Sequence, residues 1–189
     1  MTKQLPLALV WLPQRTVVRD LSLVTGGVCL TALSAQVQIP WQPVPFTLQT
    51  LAVMVCGLGL GKRLGFLSQA VYVGLGAAGV PLYAGLAGGA SKLTGATGGY
   101  LVSFLVVSFV LGALAERGWT SSLWRTALAF AIGIVINLGL GTAWLAVSIG
   151  WKAAFLGGCL PFVGIEGLKA AFAAPLLPTL QKIVNASAS

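Results

Sequence analysis

Glu166 and Lys169 are the residues of this sequence whose types and spacing most clearly predict chemistry. They lie three positions apart, so on a helix they share one face, one turn from each other. They are also the only charged side chains between residues 153 and 181, in an otherwise apolar stretch. A charge at the centre of a bilayer costs about 2.5–3.5 kcal/mol on insertion scales, so such residues usually face a cavity or a pathway. The pair therefore indicates a binding site between helices, with a structural ion pair as the alternative.

The chain around this pair has the composition of a membrane protein. Of its 189 residues, 57% are hydrophobic and 7% are charged, whereas soluble domains average about 25% charged residues. We predict an all-α polytopic membrane protein with one integral membrane domain, residues 1–189. It comprises a short cytoplasmic or interfacial segment (1–19), a helical bundle (20–182) and a cytoplasmic tail (183–189).

The residue types that are scarce or absent disfavour several kinds of chemistry. The chain has no histidine, and Cys29, Cys56 and Cys159 are isolated in apolar stretches. We therefore predict no metal site, no cofactor and no enzymatic activity, and an intramembrane enzyme is the least favoured function. The net charge of +8 does not predict nucleic-acid binding, because the cations stand singly or in pairs between apolar segments.

Charges and prolines divide the apolar sequence into six predicted transmembrane helices. No charge occurs from residue 21 to 61, which is long enough for two spans of about 20 residues. Three prolines between Gln38 and Phe46 must separate these two spans, since proline cannot continue a helix. The six helices are predicted near residues 21–37, 47–61, 64–78, 98–115, 126–149 and 153–182, the last softly interrupted by Pro161, Gly164 and Gly167.

The distribution of basic residues predicts the orientation of the bundle. Six spans place both termini on one side, and eight cations then fall on that side: Lys3, Arg15, Arg19, Lys62, Arg63, Arg117, Arg125 and Lys182. Only Lys92 and Lys152 fall on the other side, and Lys169 lies within the membrane. Because basic residues concentrate on the cytoplasmic side, we predict that both termini are cytoplasmic.

Polar and aromatic residues gather on the predicted outer side, between the helices. They are Trp41, Phe46 and Gln49 near the proline-rich loop, Tyr83, Lys92 and Tyr100 around a glycine-rich loop, and Asn137, Glu166 and Lys169 on the last helices. Such a set suits a small, mostly apolar ligand with polar ends. Individually, the aromatics can serve as interfacial belt residues, Lys92 can extend to headgroups, and Asn137 can hydrogen-bond across helices.

Four sequence blocks resemble one known family. The run IPWQPVPFTLQTL, residues 39–51, resembles the first-loop signature of the BioY family, the biotin-specific S components of energy-coupling factor (ECF) transporters. GVPLYAG (79–85), GATGGYL (95–101) and PFVGIEGLK (161–169) resemble its other blocks in the same order. The resemblance extends over roughly residues 19–175 of the chain.

The resemblance implies a six-helix S-component bundle in a prokaryotic cell inner (plasma) membrane that captures biotin from outside. It implies membrane lipid, a transmembrane coupling subunit and two ABC-type ATPase subunits as partners. In the family the last helix carries an acidic residue and, three positions later, a lysine in the substrate site, and these match Glu166 and Lys169. Glu166 stands where the family has aspartate, so its longer side chain shifts the carboxylate by about one methylene. Ala96 stands where the family commonly has proline. Either ligand orientation is compatible with the sequence.

A small-residue stripe on the first helix suggests a partner surface. Gly27, Thr31 and Ala35 recur every four residues and permit close helix approach. Small-residue motifs on the first helix dock the coupling subunit in related S components, whereas internal packing is the alternative here. Two other functions stay open: an S component for another vitamin, and a membrane scaffold in which Glu166 and Lys169 form a structural ion pair.

Overall fold

The structure, a computed structural model, describes residues 16–187 and is almost entirely helical. The predicted N-terminal segment lies largely outside the described residues, as do its cations Lys3 and Arg15. The helices are α1 Val17–Gln36, α2 Gln49–Ala77, α3 Ser91–Thr94, α4 Gly98–Ala115, α5 Leu123–Ile149, α6 Trp151–Ala154, α7 Leu160–Ala173 and α8 Leu176–Ser187. Two short strands, β1 Gln38–Ile39 and β2 Phe46–Thr47, form an antiparallel pair between α1 and α2.

The helices have the length and composition of membrane spans. Within residues 16–187, five segments qualify: α1, α2, α4, α5 and the run Trp151–Leu180, which joins α6 and α7 to the start of α8. The prediction of an all-α polytopic membrane protein is confirmed. The domain boundaries stay predictions, although α1 begins before residue 20 and α8 continues past residue 182.

Helix α2 folds back on itself at Gly61. The backbone of Gly61 has φ 82° and ψ 174°, a conformation that glycine adopts without a Cβ penalty. Gln49 and Tyr72 would lie roughly 35 Å apart on a straight helix, yet Gln49 Nε2 donates a hydrogen bond to Tyr72 Oη at 2.5 Å. The first arm (49–60) and the second arm (62–77) are therefore antiparallel. The sequence predicted two helices here, and the turn falls directly before the Lys62–Arg63 pair.

The last span is interrupted earlier than the sequence predicted. Residues Phe155–Cys159 form a π-helical turn in which Leu160 N–H donates to Phe155 O. Pro161 follows in the first turn of α7. Its missing N–H costs no intrahelical hydrogen bond there, because the first N–H groups of a helix have no acceptor within the helix. Gly164 and Gly167, by contrast, lie inside α7 without breaking it.

Contacts between loops define the two ends of the bundle. At one end Lys62 Nζ lies 3.4 Å from Glu116 Oε2, and α8 contacts the 3-10 turn Trp119–Ser121. At the other end the Gln36 side chain, at the C-terminus of α1, donates to Tyr83 O at 3.2 Å. The start of α1 and helix α8 thus lie at the end that carries Lys62. The number of membrane crossings and the cytoplasmic location of this end stay predictions.

The small-residue stripe of α1 faces the interior. A Cβ on Gly27 would lie 2.8 Å from Ser68 Cβ in the second arm, and Gln69 Nε2 donates to Thr31 Oγ1 at 3.1 Å. Thr31 and Ala35 are fully buried. In this structure the close approach that small residues allow is used by the second arm of α2, which agrees with the alternative of internal packing. The role of this stripe in partner docking stays a prediction.

Close helix contact also positions α4, the most buried of the candidate spans. A Cβ on Gly57 would lie 2.8 Å from the carbonyl oxygen of Ser108 and 3.0 Å from its Cα. Because both atoms belong to the α4 backbone, a larger residue at position 57 forces the first arm away from α4. The first arm carries Gln49 and Thr50 at its other end, so this contact helps to position them.

We expect Gly57→Ala to destabilise the protein by about 1–3 kcal/mol through overpacking. The matched control is Gly59→Ala in the same arm, because a Cβ there meets no atom within 4 Å. Thermal unfolding of the detergent-solubilised protein measures both variants. A midpoint for Gly57→Ala equal to that of Gly59→Ala would contradict the proposed contact.

Candidate ligand-binding site

A cavity of about 770 Å³ opens at the end of the bundle opposite Lys62. Its walls come from the first loop (38–47), the second loop (83–97), the first turns of α2 and α4, and residues of α5 and α7. Clefts of this size hold small organic ligands. Seven of the nine residues predicted for the site line this cavity: Trp41, Gln49, Tyr83, Lys92, Tyr100, Asn137 and Glu166.

Phe46 supports the cavity wall from behind. Its ring centroid lies 4.2 Å from that of Phe162 and 5.6 Å from that of Trp41. Phe162 and Trp41 both line the cavity. Phe46 therefore fixes two aromatic walls, one from α7 and one from the proline-rich loop, without lining the cavity itself.

Glu166 lies at the inner part of the cavity in a closed hydrogen-bonded network. Glu166 is only 2% exposed. Thr50 Oγ1 lies 2.7 Å from Glu166 Oε2 and 2.9 Å from Oε1, and donates to the carboxylate. Lys169 Nζ lies 2.5 Å from Glu166 Oε1. The carboxylate therefore has two protein donors and keeps free acceptor capacity for a ligand, since an ionised carboxylate offers about four lone-pair sites.

Lys169 lies behind Glu166 rather than in the cavity wall. Besides Glu166, its ammonium donates to Thr47 O at 2.7 Å and to Thr50 Oγ1 at 3.0 Å. An ammonium has three N–H donors, and these three acceptors occupy them. A ligand oxygen would have to displace one of them, so the arrangement favours a role for Lys169 in holding Glu166 in place.

Thr50 is a site residue that the sequence analysis missed. It lines the cavity and contacts both members of the charged pair. Thr47 and Thr50 lie three residues apart, so the one sequence signal was two hydroxyl residues on one face at the start of an apolar segment. That signal is weak, because threonines in apolar helices commonly bond to their own backbone.

The two tyrosines of the cavity present their rings rather than their hydroxyls. Tyr83 Oη donates to Val73 O and Tyr100 Oη to Gly158 O, each at 2.7 Å. Burial raises the pKa of the Tyr83 phenol above its usual value, so its hydroxyl stays protonated and keeps this bond at physiological pH. These residues therefore form an apolar, aromatic surface between the polar groups of the site.

Lys92 lies on α3, exposed at the mouth of the cavity. The loop around it is fastened on two sides by residues that the sequence analysis did not single out. Trp144 Nε1 donates to Gly95 O at 3.1 Å, while Leu86 N–H donates to Gln36 Oε1 at 3.0 Å. These two bonds tie the loop that carries Lys92 to helices α5 and α1.

The cavity is therefore polar at two ends and apolar between them. Its inner end holds a buried carboxylate and the amide of Asn137, which is 5% exposed. Its mouth carries the ammonium of Lys92, and the rings of Tyr83, Tyr100 and Phe162 line the space between. Such a cavity suits an elongated ligand with hydrogen-bond donors at one end and an anion at the other.

Comparison with known proteins agrees with this architecture. The model of the BioY family matches residues 2–186. The probable biotin transporter BioY of Pyrococcus horikoshii is 40% identical over 163 residues, covering 86% of this chain and 96% of that protein. The biotin transporter BioY of Thermotoga maritima is 37% identical over 170 residues, covering 85% and 96%.

A solved structure has the same fold. The crystal structure of the S-component for biotin from an ECF-type ABC transporter superposes with a TM-score of 0.75 at 24% identity, and the match covers 89% of this chain and 95% of that one. At this identity the match shows the fold alone. The family model and the curated relatives, which span nearly the whole chain, carry the assignment: this protein belongs to the BioY family.

Proposed function

We propose that this protein is the high-affinity, biotin-binding substrate-capture (S) component of an ECF-type vitamin uptake transporter. It acts in the plasma membrane of a prokaryote, together with a transmembrane coupling subunit and two ABC-type ATPase subunits. Its family comprises transport proteins rather than enzymes. ATP hydrolysis falls to the partners, because the sequence has no GxxxxGK[ST] phosphate-binding loop.

The observation that carries this proposal is the order of polar groups along the cavity. Biotin has a ureido ring with two N–H donors, an apolar bicyclic body and chain, and a terminal carboxylate. The buried carboxylate of Glu166 accepts from a ureido N–H, and charge-assisted bonds of this kind are strong in a dry site. The tyrosine and phenylalanine rings cover the apolar body, and Lys92 binds the carboxylate at the mouth.

The cavity favours this orientation over the reverse. With the ligand reversed, its carboxylate would meet the carboxylate of Glu166, while the Lys169 ammonium already contacts Glu166, Thr47 O and Thr50 Oγ1. Two like charges in a buried site repel strongly. We therefore assign the ureido ring to the inner end and the valerate carboxylate to the mouth.

Equilibrium binding of labelled biotin to the purified protein tests the function. We expect saturable binding that unlabelled biotin displaces and that riboflavin and thiamine do not displace. Saturable binding of labelled riboflavin or thiamine in place of biotin would assign the protein to that substrate. Absence of saturable binding of all three would favour the scaffold function, in which Glu166 and Lys169 only hold helices together.

We expect Glu166→Gln to lower the affinity for biotin by roughly tenfold to a hundredfold, because it removes a charged acceptor from the ureido ring. Glu116→Gln is the matched control, since Glu116 pairs with Lys62 at the opposite end of the bundle. Titration calorimetry on both variants measures the change. Equal affinities of the two variants would remove Glu166 from the proposed site.

We expect Lys92→Met to lower the affinity for biotin by about twofold to fivefold, the contribution of an exposed ion pair. The affinity for the primary amide of biotin should not change, because the amide carries no charge. Lys152→Met serves as the control, since Lys152 is also exposed and does not line the cavity. Competition binding with acid and amide measures the preference, and a preference that survives in Lys92→Met would place the carboxylate elsewhere.

A further inference from the structure

The side chain of Asn137 lies at the floor of the cavity, next to the Glu166 network. Asn137 belongs to α5 and is 5% exposed. It lines the cavity and also a small void directly beneath it, together with Thr50 and Phe104. Because Thr50 Oγ1 donates to Glu166, the amide of Asn137 and the carboxylate of Glu166 share the same inner end of the site.

Hydrogen bonds fix which end of the amide faces α4. Ser103 Oγ donates its proton to Tyr100 O at 2.7 Å. It therefore receives the bond from Asn137 Nδ2, which lies 2.6 Å away. Nδ2 also lies 3.5 Å from Tyr100 O, a second acceptor. A flipped amide would place its oxygen beside an acceptor carbonyl, so the nitrogen side faces α4.

The oxygen of the same amide has no protein donor. Within residues 16–187, no group donates a hydrogen bond to Asn137 Oδ1. Among the fully buried side-chain nitrogen and oxygen atoms of this range, Thr120 Oγ1 alone lacks a hydrogen-bond partner, so Asn137 Oδ1 is not one of those fully buried atoms. Oδ1 is therefore not sealed off, and the space it opens onto is the cavity that Asn137 lines. A largely buried acceptor without a protein partner requires a donor from water or from a ligand.

Two acceptors from different helices match a cyclic urea. The two ureido N–H groups of biotin diverge from the ring, so a single side chain cannot accept from both of them in good geometry. Glu166 comes from α7 and Asn137 from α5, which places the acceptors on separate elements around one space. A site with paired acceptors also rejects analogues that lack one N–H, because a buried acceptor is then left unpaired.

We propose, on the basis of the biotin-binding function above, that Asn137 Oδ1 accepts the second ureido N–H and that Asn137 determines specificity for an unsubstituted cyclic urea. Glu166 accepts the first N–H. Ser103 is a positioning residue, which holds the amide nitrogen on α4 and turns the oxygen toward the ligand.

Competition binding with biotin and its two mono-N-methylated ureido analogues tests this role. In each analogue the methyl group replaces the hydrogen of one ureido N–H and so removes one hydrogen-bond donor from the ligand. Asn137→Leu, of similar size, should lower the affinity for biotin by on the order of tenfold to a hundredfold. It should also reduce the discrimination against one of the two methylated analogues by a similar factor and leave discrimination against the other unchanged. Ser103→Ala, which keeps Oδ1 but removes the bond that orients the amide, should weaken the discrimination against the same analogue by a smaller factor.

A purely structural role of Asn137 predicts a different result. Loss of packing would lower the affinity for biotin and for both analogues by the same factor, so unchanged ratios in Asn137→Leu would overturn the proposal. If that variant does not fold, Asn137→Ala removes the same acceptor and the ratios are compared in the same way. Failure of the wild-type protein to bind biotin would instead refute the function, which separates the two hypotheses.

Discussion

The buried ion pair of Glu166 and Lys169 is the constraint on which the rest of the site depends. Removing two charges from water costs several kcal/mol for each ion even after relaxation, and the cost is offset only when further hydrogen bonds complete the pair. Here Thr50 Oγ1 and Thr47 O supply those bonds. Helix α7 must therefore lie against the start of α2, and the first loop must deliver Thr47 to that point.

The sequence predicted those features that depend on residue type alone. Apolar length and the positions of charges and prolines specify membrane spans, because insertion and the loss of a backbone donor are properties of single residues. The turn at Gly61 fell next to the predicted break at Lys62, and seven of the nine predicted site residues line one cavity. These residues could be predicted to share a site because an amide, a charge or an aromatic ring stands out in an apolar sequence.

The features that the sequence did not predict depend on which neighbouring element packs against each helix face. A stripe such as Gly27, Thr31 and Ala35 permits close approach by any helix, and only the fold shows that the second arm of α2 occupies it. The spacing of Glu166 and Lys169 placed both on one face, but the direction of the lysine depended on acceptors 119 and 122 residues away in sequence. Thr50 gave almost no signal, because its importance arises from that same distant pair.

Ligand orientation in the proposed site follows from repulsion as much as from attraction. The Lys169 ammonium is already bonded to protein acceptors, so the inner end presents acceptors rather than a free cation. A carboxylate there would lose its hydration and meet Glu166, which costs far more than the modest attraction that Lys92 offers at the exposed mouth. A ligand with donors at one end and an anion at the other therefore binds in one direction. Specificity of this kind comes from disfavouring the wrong arrangement, and here it rests on protein groups that hold Glu166 and occupy the Lys169 ammonium.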